Sequence, residues 1–239
     1  MTKEKEFLTL FNELERYLRV EYPSTSYSYT GFVSHLYQIR KHRNNPVIDN
    51  KNNFDLIHQA AQIRNIIAHN NDVLVPSDNF LDQFRSVVKK LCQPEKITYI
   101  MTKFGDLKTA KPSDTVGYAI DLLKEHGYNT IPIIDNGKLL GAFTEKTIFD
   151  YLTIYKNKSV DKDMKISDIM EAIDLNSIPR RYFEFIKRDA DIYEAYELYQ
   201  KDSKQKRELL LLFVTEHGLW SEKLLGIVSL RDLKNTLID

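Results

Sequence analysis

The sequence is poor in cysteine, with Cys92 as its single thiol-bearing residue. One cysteine cannot form an intramolecular disulfide, which excludes the disulfide-rich class of small secreted domains. The N-terminal segment MTKEKEFLTL carries charges where a secretory signal peptide needs an apolar core. We therefore expect the reducing environment of the cytoplasm.

Long apolar runs and an excess of charge of one sign are also missing. The longest wholly apolar run extends from Leu209 to Val214, whereas a helix needs about 20 apolar residues to cross a bilayer. Lys and Arg together number 34, as do Asp and Glu, so the formal net charge is zero. A neutral chain has no general attraction to polyanions, and any such partner must be recognised locally. We expect neither a membrane nor a DNA partner.

Several familiar motifs for cofactors and metals are absent. The sequence has no P-loop, no Gly-x-Gly-x-x-Gly segment, no His-Glu-x-x-His segment and no pair of cysteines at zinc-binding spacing. We therefore expect no metal.

The first part of the chain is predicted to be helical. Apolar residues recur at spacings of three and four in the segments Lys3–Tyr22, Phe32–Ile39, Phe54–His69 and Asn79–Leu91. This spacing is typical of amphipathic helices. Pro94 follows the last segment, and the pattern then changes to alternating strands and helices. We predict an all-α bundle of four helices over residues 1–94.

The rest of the chain contains an internal repeat. Ile97–Thr102 (ITYIMT) matches Ile166–Glu171 (ISDIME), and Leu139–Gly141 matches Leu224–Gly226. Each copy reads strand, helix, strand, turn, strand, helix, and Asp135–Lys138 supplies the turn residues of the first copy. We predict β-α-β-β-α units over residues 95–158 and 159–239, which makes the whole chain α+β.

This repeat resembles the CBS domain, which occurs in pairs whose copies pack face to face. The resemblance covers about residues 97–239. It rests on the Ile-x-x-Ile-Met leader of both copies, the strand Ile131–Asp135, and a Gly-hydrophobic-x-Ser/Thr element that opens the last helix. It implies that an adenine nucleotide such as AMP, ADP or ATP lies in the cleft between the copies. Its ribose would be held by an Asp three positions after a Ser or Thr.

In the second copy this element reads GIVSLRD, so the resemblance assigns the ribose to Ser229 and Asp232. A Ser hydroxyl and the first N–H groups of a helix suit phosphate, while a carboxylate one turn further accepts hydrogen bonds from ribose hydroxyls. In the first copy Thr147 stands where that carboxylate belongs, so the site at Thr144 is expected to be weakened, vacant or altered in specificity. We predict one principal nucleotide site per chain.

Each of these residues also has an ordinary structural interpretation. A Ser at a helix N-cap with an acidic residue three positions later is close to a capping box. The basic residues Arg231, Lys187 and Arg188 are candidates to neutralise phosphates, but surface cations are usually only solvated. The candidates for an apolar adenine slot, Ile186, Ile192 and Phe213, would equally suit a core.

The third predicted helix contains Arg64, Asn65 and His69, and Asn70 and Asn71 follow as good helix terminators. In a four-helix setting this Arg-x(4 to 6)-His segment is similar to the HEPN family, whose members include metal-independent endoribonucleases. The resemblance implies a homodimer in which two such segments meet on RNA. His69 would act as general acid or base, Arg64 would stabilise charge on the phosphate oxygens, and Asn65 would orient the pair or bind substrate.

Three functions therefore remain open. In the first, a cytoplasmic homodimer senses an adenine nucleotide with its CBS pair and controls an RNA-cleaving HEPN-like domain. In the second, the sensor is not catalytic, and its helical domain mediates dimerisation or docks to a partner protein. In the third, the CBS pair has lost its ligand and serves only as a dimerisation module.

Overall fold

The computed structural model of the chain describes residues 2–23, 31–42, 45–69, 74–155, 159–173, 175, 182–204 and 209–238. The chain divides into two compact units, Met1–Glu95 and Lys96–Asp239. Within the described ranges, no helix has both the length and the apolar character needed to span a membrane.

The first unit is helical. Its helices are α1 Lys3–Glu21, α2 Phe32–His42, α3 Pro46–Asp49, α4 Lys51–His69 and α5 Asp78–Cys92. Helices α1 and α5 pack through buried apolar side chains, and the ring centroids of Phe7 and Phe84 lie 5.5 Å apart. Side-chain oxygens of Thr2 and Ser77 accept hydrogen bonds from the first turns of α1 and α5, which explains where these helices begin.

The four predicted helices are present, but α3 is an additional helix among the described residues, so the predicted four-helix count was wrong. Asn45 Oδ1 accepts hydrogen bonds from the N–H groups of Val47 and Ile48, at 3.0 and 3.2 Å. Pro46 occupies the first helical position, where a missing N–H is not needed. The Asn-Pro pair signals this start, whereas hydrophobic periodicity cannot detect so short a helix.

The second unit combines helices and strands. Its helices are α6 Ile97–Ile100, α7 Val116–His126, α8 Thr147–Ile154, α9 Ile192–Lys204 and α10 Leu230–Ile238, with 3₁₀ helices at Phe104–Asp106 and Ile166–Ala172. Its strands are β1 Thr102–Lys103, β2 Thr130–Asp135, β3 Lys138–Thr144, β4 Phe183–Lys187, β5 Leu211–Thr215 and β6 Gly226–Val228. Strands β2 and β3 form a hairpin, and the other strands form a sheet in the order β1-β6-β5-β4. Only the β4–β5 pair of these named strands is parallel.

The turn of the β2–β3 hairpin confirms the prediction at Asp135–Lys138. Asp135 pairs with Lys138, and Asn136 and Gly137 between them have φ values of 49° and 78°. Two central residues with positive φ suit the right-handed twist of a tight hairpin, and Asn-Gly is the favoured sequence for them.

The leaders of the two copies are exchanged. The first leader, Lys96–Lys103, packs into the core of the second copy, where Ile97 is fully buried. The second leader, Lys165–Ile173, packs into the core of the first copy, where Ile166 is fully buried. Each copy therefore completes its core with a segment that precedes the other copy.

Equivalent hydrogen bonds hold both leaders. The N–H of Ile97 donates to the carbonyl of Ala190 at 3.0 Å, and the N–H of Ile166 donates to the carbonyl of Asp114 at 2.9 Å. Ile97 matches Ile166 in the repeat, and Asp114 and Ala190 each lie two residues before the first helix of their copy, α7 or α9. The exchange therefore relates the two copies by an approximate twofold symmetry.

Two matched glycines lie where the leaders cross the opposite copy. A Cβ atom at Gly226 would lie 2.6 Å from the carbonyl oxygen of Thr102 in the first leader. A Cβ atom at Gly141 would collide with the carbonyl oxygen of Ile173 in the second leader. Glycine permits this close backbone approach, so the repeated Leu-Leu-Gly sequence follows from the exchange.

A separate apolar layer lies between the two copies. The buried residues that form it are Ile134, Leu139 and Ala142 from the first copy and Phe183, Leu211, Phe213 and Leu224 from the second. Strand β5 is thus covered on both faces, by this layer and by the core of the second copy. Burial on both faces explains why Leu209–Val214 is a continuous apolar run rather than an alternating one.

Candidate functional site

The residues predicted to hold ribose lie together at the start of α10. Asp232 Oδ2 accepts hydrogen bonds from the backbone N–H of Ser229 at 2.8 Å and from its hydroxyl at 2.7 Å. The N–H of Asp232 donates in return to Ser229 Oγ at 3.3 Å. Both residues are partly exposed. The capping arrangement is therefore real, and it uses one carboxylate oxygen.

The other carboxylate oxygen of Asp232 is not needed for this cap. Asp232 Oδ1 makes no hydrogen bond to the part of the chain that the structure describes. A carboxylate oxygen has lone pairs for more than one donor. Asp232 can therefore cap α10 and still accept a hydrogen bond from a ligand.

The matched position in the first copy is built differently. The N–H of Thr144 donates to Thr147 Oγ1 at 2.8 Å, and the two hydroxyl oxygens lie 3.3 Å apart. Thr147 thus replaces the capping function of the carboxylate, but its side chain is only 1% exposed and carries no charge. That the site at Thr144 is weakened, vacant or altered in specificity stays a prediction.

The hydroxyl of Tyr199 supports the strand end that leads into Ser229. Tyr199 lies on α9, is 6% exposed, and donates a hydrogen bond to the carbonyl of Val228 at 2.9 Å. Burial raises the pKa of the Tyr199 phenol, and the negative charge of Asp232 raises it further. Sequence reasoning missed this residue, although Leu123 at the matched position of the first copy shows that the hydroxyl is special to the second.

Two of the three candidate phosphate ligands already have acidic partners. Lys187 Nζ lies 3.2 Å from a carboxylate oxygen of Glu194, and this hydrogen bond raises the pKa of Lys187. Arg188 Nη1 lies 3.5 Å from a carboxylate oxygen of Glu216. Arg231 is exposed in the first turn of α10. Lys187 pairs with Thr215 at one end of β5, whereas Val228, the residue before Ser229, pairs with Leu212 at the other end. The structure therefore does not bring Lys187 and Arg188 to Asp232, whereas Arg231 lies in the same turn as Asp232.

The apolar residues suggested for adenine belong to the interior. Ile186 and Ile192 are each 5% exposed and lie in the core of the second copy. Phe213 is fully buried in the layer between the copies. The adenine hypothesis for these residues is therefore wrong for this conformation, because none of the three presents a surface on which a base could stack.

The candidate RNA-cleaving residues lie at the C-terminal end of α4. Arg64 is partly buried, its Nη1 donates to Asn65 Oδ1 at 3.4 Å, and its guanidinium lies 6.0 Å from the Phe11 ring centroid. Arg64 and Asn65 line an open cleft together with residues of α1 and the start of α2. His69 ends α4, but its side chain and residues 70–73 lie outside the described part. The convergence of Arg64 with His69 therefore stays a prediction.

Comparison with known proteins now identifies part of the chain. The family model of the CBS domain matches residues 97–154. Residues 97–154 form a CBS domain. The match begins at the first leader of this CBS domain and ends with α8, the helix that follows Thr144.

One curated relative matches a longer stretch. Inosine-5'-monophosphate dehydrogenase of Methanocaldococcus jannaschii is 28% identical over 130 residues, which are 54% of this chain. The match spans 21% of the length of that enzyme.

Solved structures also resemble part of this chain. CBSX2 in complex with AMP has 19% identity and a TM-score of 0.44, covering 60% of this chain and 96% of that one. The CBS domain of a bacterial CNNM/CorC family Mg2+ transporter in complex with ATP has 17% identity and a TM-score of 0.43, covering 64% and 93%. A putative acetoin utilization protein (AcuB) from Vibrio cholerae has 19% identity and a TM-score of 0.45, covering 61% and 91%.

Proposed function

We propose that residues 96–239 are a CBS pair that binds one adenine nucleotide at Ser229 and Asp232 and thereby regulates the helical unit. The observation that carries this proposal is the partly exposed Asp232 carboxylate, which caps α10 with Oδ2 and leaves Oδ1 for a ligand. The ribose hydroxyls would donate to this carboxylate. The phosphate would lie towards the first N–H groups of α10, near Arg231.

The substitution Asp232→Thr tests the ribose assignment without removing the helix cap. Thr147 already accepts the matched N–H in the first copy, so a threonine at position 232 is expected to do the same for Ser229. Hydrogen bonds to a charged group contribute about 1.5–3 kcal/mol, so AMP and ATP should bind roughly 10- to 100-fold more weakly. Calorimetry measures the affinity.

Thermal unfolding provides the control for this substitution. The Tm of Asp232→Thr without nucleotide should remain close to that of the natural protein, because the cap is retained. With nucleotide at 100 times its dissociation constant, the natural protein should gain about 2.7 kcal/mol of stability and the variant should gain little. Unchanged affinity in Asp232→Thr would show that Asp232 is only a cap.

For the helical unit, we propose metal-independent cleavage of RNA by Arg64, Asn65 and His69 of a homodimer. The observation that favours this function is the partly buried guanidinium of Arg64, which lines an open cleft with Asn65. A guanidinium at the edge of a cleft suits phosphate oxygens, and a histidine pKa near 6.5 suits proton transfer.

Labelled RNA tests this second proposal in EDTA, with and without AMP or ATP. Cleavage should occur in the natural protein and be lost in both His69→Ala and Arg64→Ala. Light scattering should give the mass of a dimer for all three proteins. Absence of cleavage with every nucleotide, or cleavage that survives His69→Ala, would favour the alternative in which the helical unit docks to a partner protein.

A further inference from the structure

The segment that follows the helical unit in sequence, the first leader, is bonded to the second copy. Helix α5 ends at Cys92, and Lys96 is already bonded within the second copy, where its Nζ donates to the carbonyl of Asp189 at 2.8 Å. The N–H of Ile97 donates to the carbonyl of Ala190 at 3.0 Å. Residues 93–95 are therefore the whole covalent connection between α5 and the first leader, which is hydrogen-bonded to the second copy.

The first leader then pairs with the strand that ends at the proposed ribose site. In β1, Thr102 pairs with Ile227 and Lys103 pairs with Gly226 of β6. The residue after β6 is Ser229. The leader also shares the core of the second copy with the site, because buried Ile97 clusters with Val228 and Leu233, which flank Ser229 and Asp232 in sequence.

Ribose binding would depend on the bonding at this strand end. Ribose hydroxyls that donate to Asp232 Oδ1 need a carboxylate that is held in place, and the N–H and hydroxyl of Ser229 hold it through Oδ2 at 2.8 and 2.7 Å. A ligand shifts an equilibrium only when it binds two arrangements with different affinity. Strand β6 provides that difference, because one end carries Ser229 and the other is held by the first leader.

From this geometry we propose that the first leader, Lys96–Lys103, transmits nucleotide occupancy at Ser229 and Asp232 to the helical unit. The inference rests on the proposed nucleotide site and adds its route of regulation. Coupling between two equilibria is reciprocal. If nucleotide binding favours the packed leader by some factor, loosening the leader must lower the nucleotide affinity by the same factor. In this route the first leader carries the signal, and the rest of the CBS domain, residues 104–154, is not needed for it.

The second leader is a matched control within the same molecule. It crosses Gly141 as the first leader crosses Gly226, but in the copy that it enters the position matched to Asp232 is Thr147, which has no carboxylate. Hydrogen exchange of the natural full-length protein, with AMP or ATP saturating by calorimetry, compares the two leaders directly. Exchange should slow on the order of tenfold in Ile97–Phe104 and in α5, and should not change in Ile166–Ile173.

A matched pair of variants tests the coupling. Gly226→Ala places a Cβ against the carbonyl of Thr102, and Gly141→Ala places one against the carbonyl of Ile173. We expect nucleotide affinity to fall by about tenfold in Gly226→Ala, with loss of the α5 response, and by less than about twofold in Gly141→Ala. Lys96→Met is a milder variant if Gly226→Ala does not fold, because it removes one exposed anchor and should reduce the α5 response without unfolding the core.

Failure of the transmission route can be distinguished from failure of the nucleotide site at Ser229 and Asp232. If neither AMP nor ATP binds, both are overturned. If a nucleotide binds but exchange in the first leader and α5 does not change, or changes equally in both leaders, the nucleotide site stands and the transmission route is wrong. Equal losses of affinity in Gly226→Ala and Gly141→Ala would overturn the route as well, because they would reflect general destabilisation.

Discussion

At the scale of single residues, Tyr199 holds the backbone beside the proposed ribose carboxylate. Its buried hydroxyl donates to the carbonyl of Val228, the residue before Ser229. Tyr199→Phe should lower the free energy of unfolding by about 1 kcal/mol, because a buried carbonyl loses its donor. We also expect AMP and ATP to bind about two- to fivefold more weakly, since Ser229 loses its support. Urea denaturation and calorimetry measure the two effects.

Tyr196→Phe is the matched control for this prediction. Tyr196 lies on the same helix, and its hydroxyl accepts a hydrogen bond from Gln200 Nε2 at 2.9 Å near the surface. Its removal should cost less stability than removal of the Tyr199 hydroxyl and should leave nucleotide affinity unchanged. If both variants bind nucleotide as the natural protein does, Tyr199 is a core residue without a role in the site.

At the scale of elements, the turn between β5 and β6 is held by one carboxylate. Glu222 Oε2 accepts from the N–H groups of His217 and Leu219, at 2.7 and 3.3 Å, and Oε1 lies 2.6 Å from His217 Nδ1. The hydrogen bond from the His217 backbone is the largest cause that lowers the pKa of Glu222 to about 2. The same carboxylate raises the pKa of His217 above its ordinary value of 6.5.

These shifts predict how the turn depends on pH. Because the pKa of Glu222 is lower in the folded protein, its carboxylate stabilises the turn at pH values above 4.5, the ordinary pKa of the group. This stability is lost as the pH falls towards about 2. Because the pKa of His217 is higher in the folded protein, its protonated imidazole stabilises the turn at pH values below 6.5, the ordinary pKa of the group. This contribution is lost as the pH rises through the pKa of His217 in the folded protein. The turn should therefore be most stable between pH 4.5 and 6.5.

The fluorescence of Trp220 reports on this turn, because Trp220 is the single tryptophan of the chain and lies between His217 and Glu222. Its emission should change as the pH rises from 6 to 9, a range in which ordinary carboxyls do not titrate. Glu222→Gln should shift this change to lower pH, towards the ordinary histidine value of 6.5, because the imidazole loses the charge that raises its pKa. A pH-dependent emission that is identical in Glu222→Gln would place its origin elsewhere.

The elements differ in how far the sequence could predict them. Amphipathic helices such as α1 and the Asn-Gly hairpin turn depend on local patterns, and both were predicted correctly. The exchange of the leaders could not be predicted, because the Ile-x-x-Ile-Met pattern shows that a leader is buried but not which core buries it. The repeat shows Gly141 and Gly226 as a matched pair. Glycine is required at both positions because the backbone of a segment distant in sequence approaches closely, and the sequence does not show this approach.

The same limit applies to the candidate site. The helix cap formed by Ser229 and Asp232 could be predicted because their spacing within one turn is a local property of the chain, whereas their role in binding ribose came from the CBS resemblance and stays a prediction. Tyr199 was missed because its contact with Val228 joins two elements that only the tertiary fold brings together. The adenine candidate Phe213 was wrong for a related reason, since an apolar residue in a strand can face a ligand, a core or a second copy, and periodicity does not distinguish these.

At the scale of the whole molecule, the exchange of leaders makes the core of each copy depend on the other copy. The fragment of residues 97–154 contains the entire CBS family match. It lacks Ile166, Ile169 and Ile173, which are at most 1% exposed in the core of the first copy. Burial of an isoleucine contributes about 1.5–3 kcal/mol, so their loss removes roughly 5–9 kcal/mol. That loss is comparable with the total stability of a domain, about 5–15 kcal/mol.

We therefore expect the fragment of residues 97–154 to be unfolded and the fragment of residues 96–239 to unfold in a cooperative transition, as measured by circular dichroism in urea. A third fragment, residues 105–239, removes the first leader and exposes the core of the second copy that Ile97 fills. It should be less stable than residues 96–239 and should bind AMP or ATP more weakly, because Ile97 packs in the same cluster as Val228 and Leu233. A cooperative transition of residues 97–154 alone would mean that the first copy can form its core without the second leader. The exchange of leaders would then not be the reason that the two copies fold as one unit.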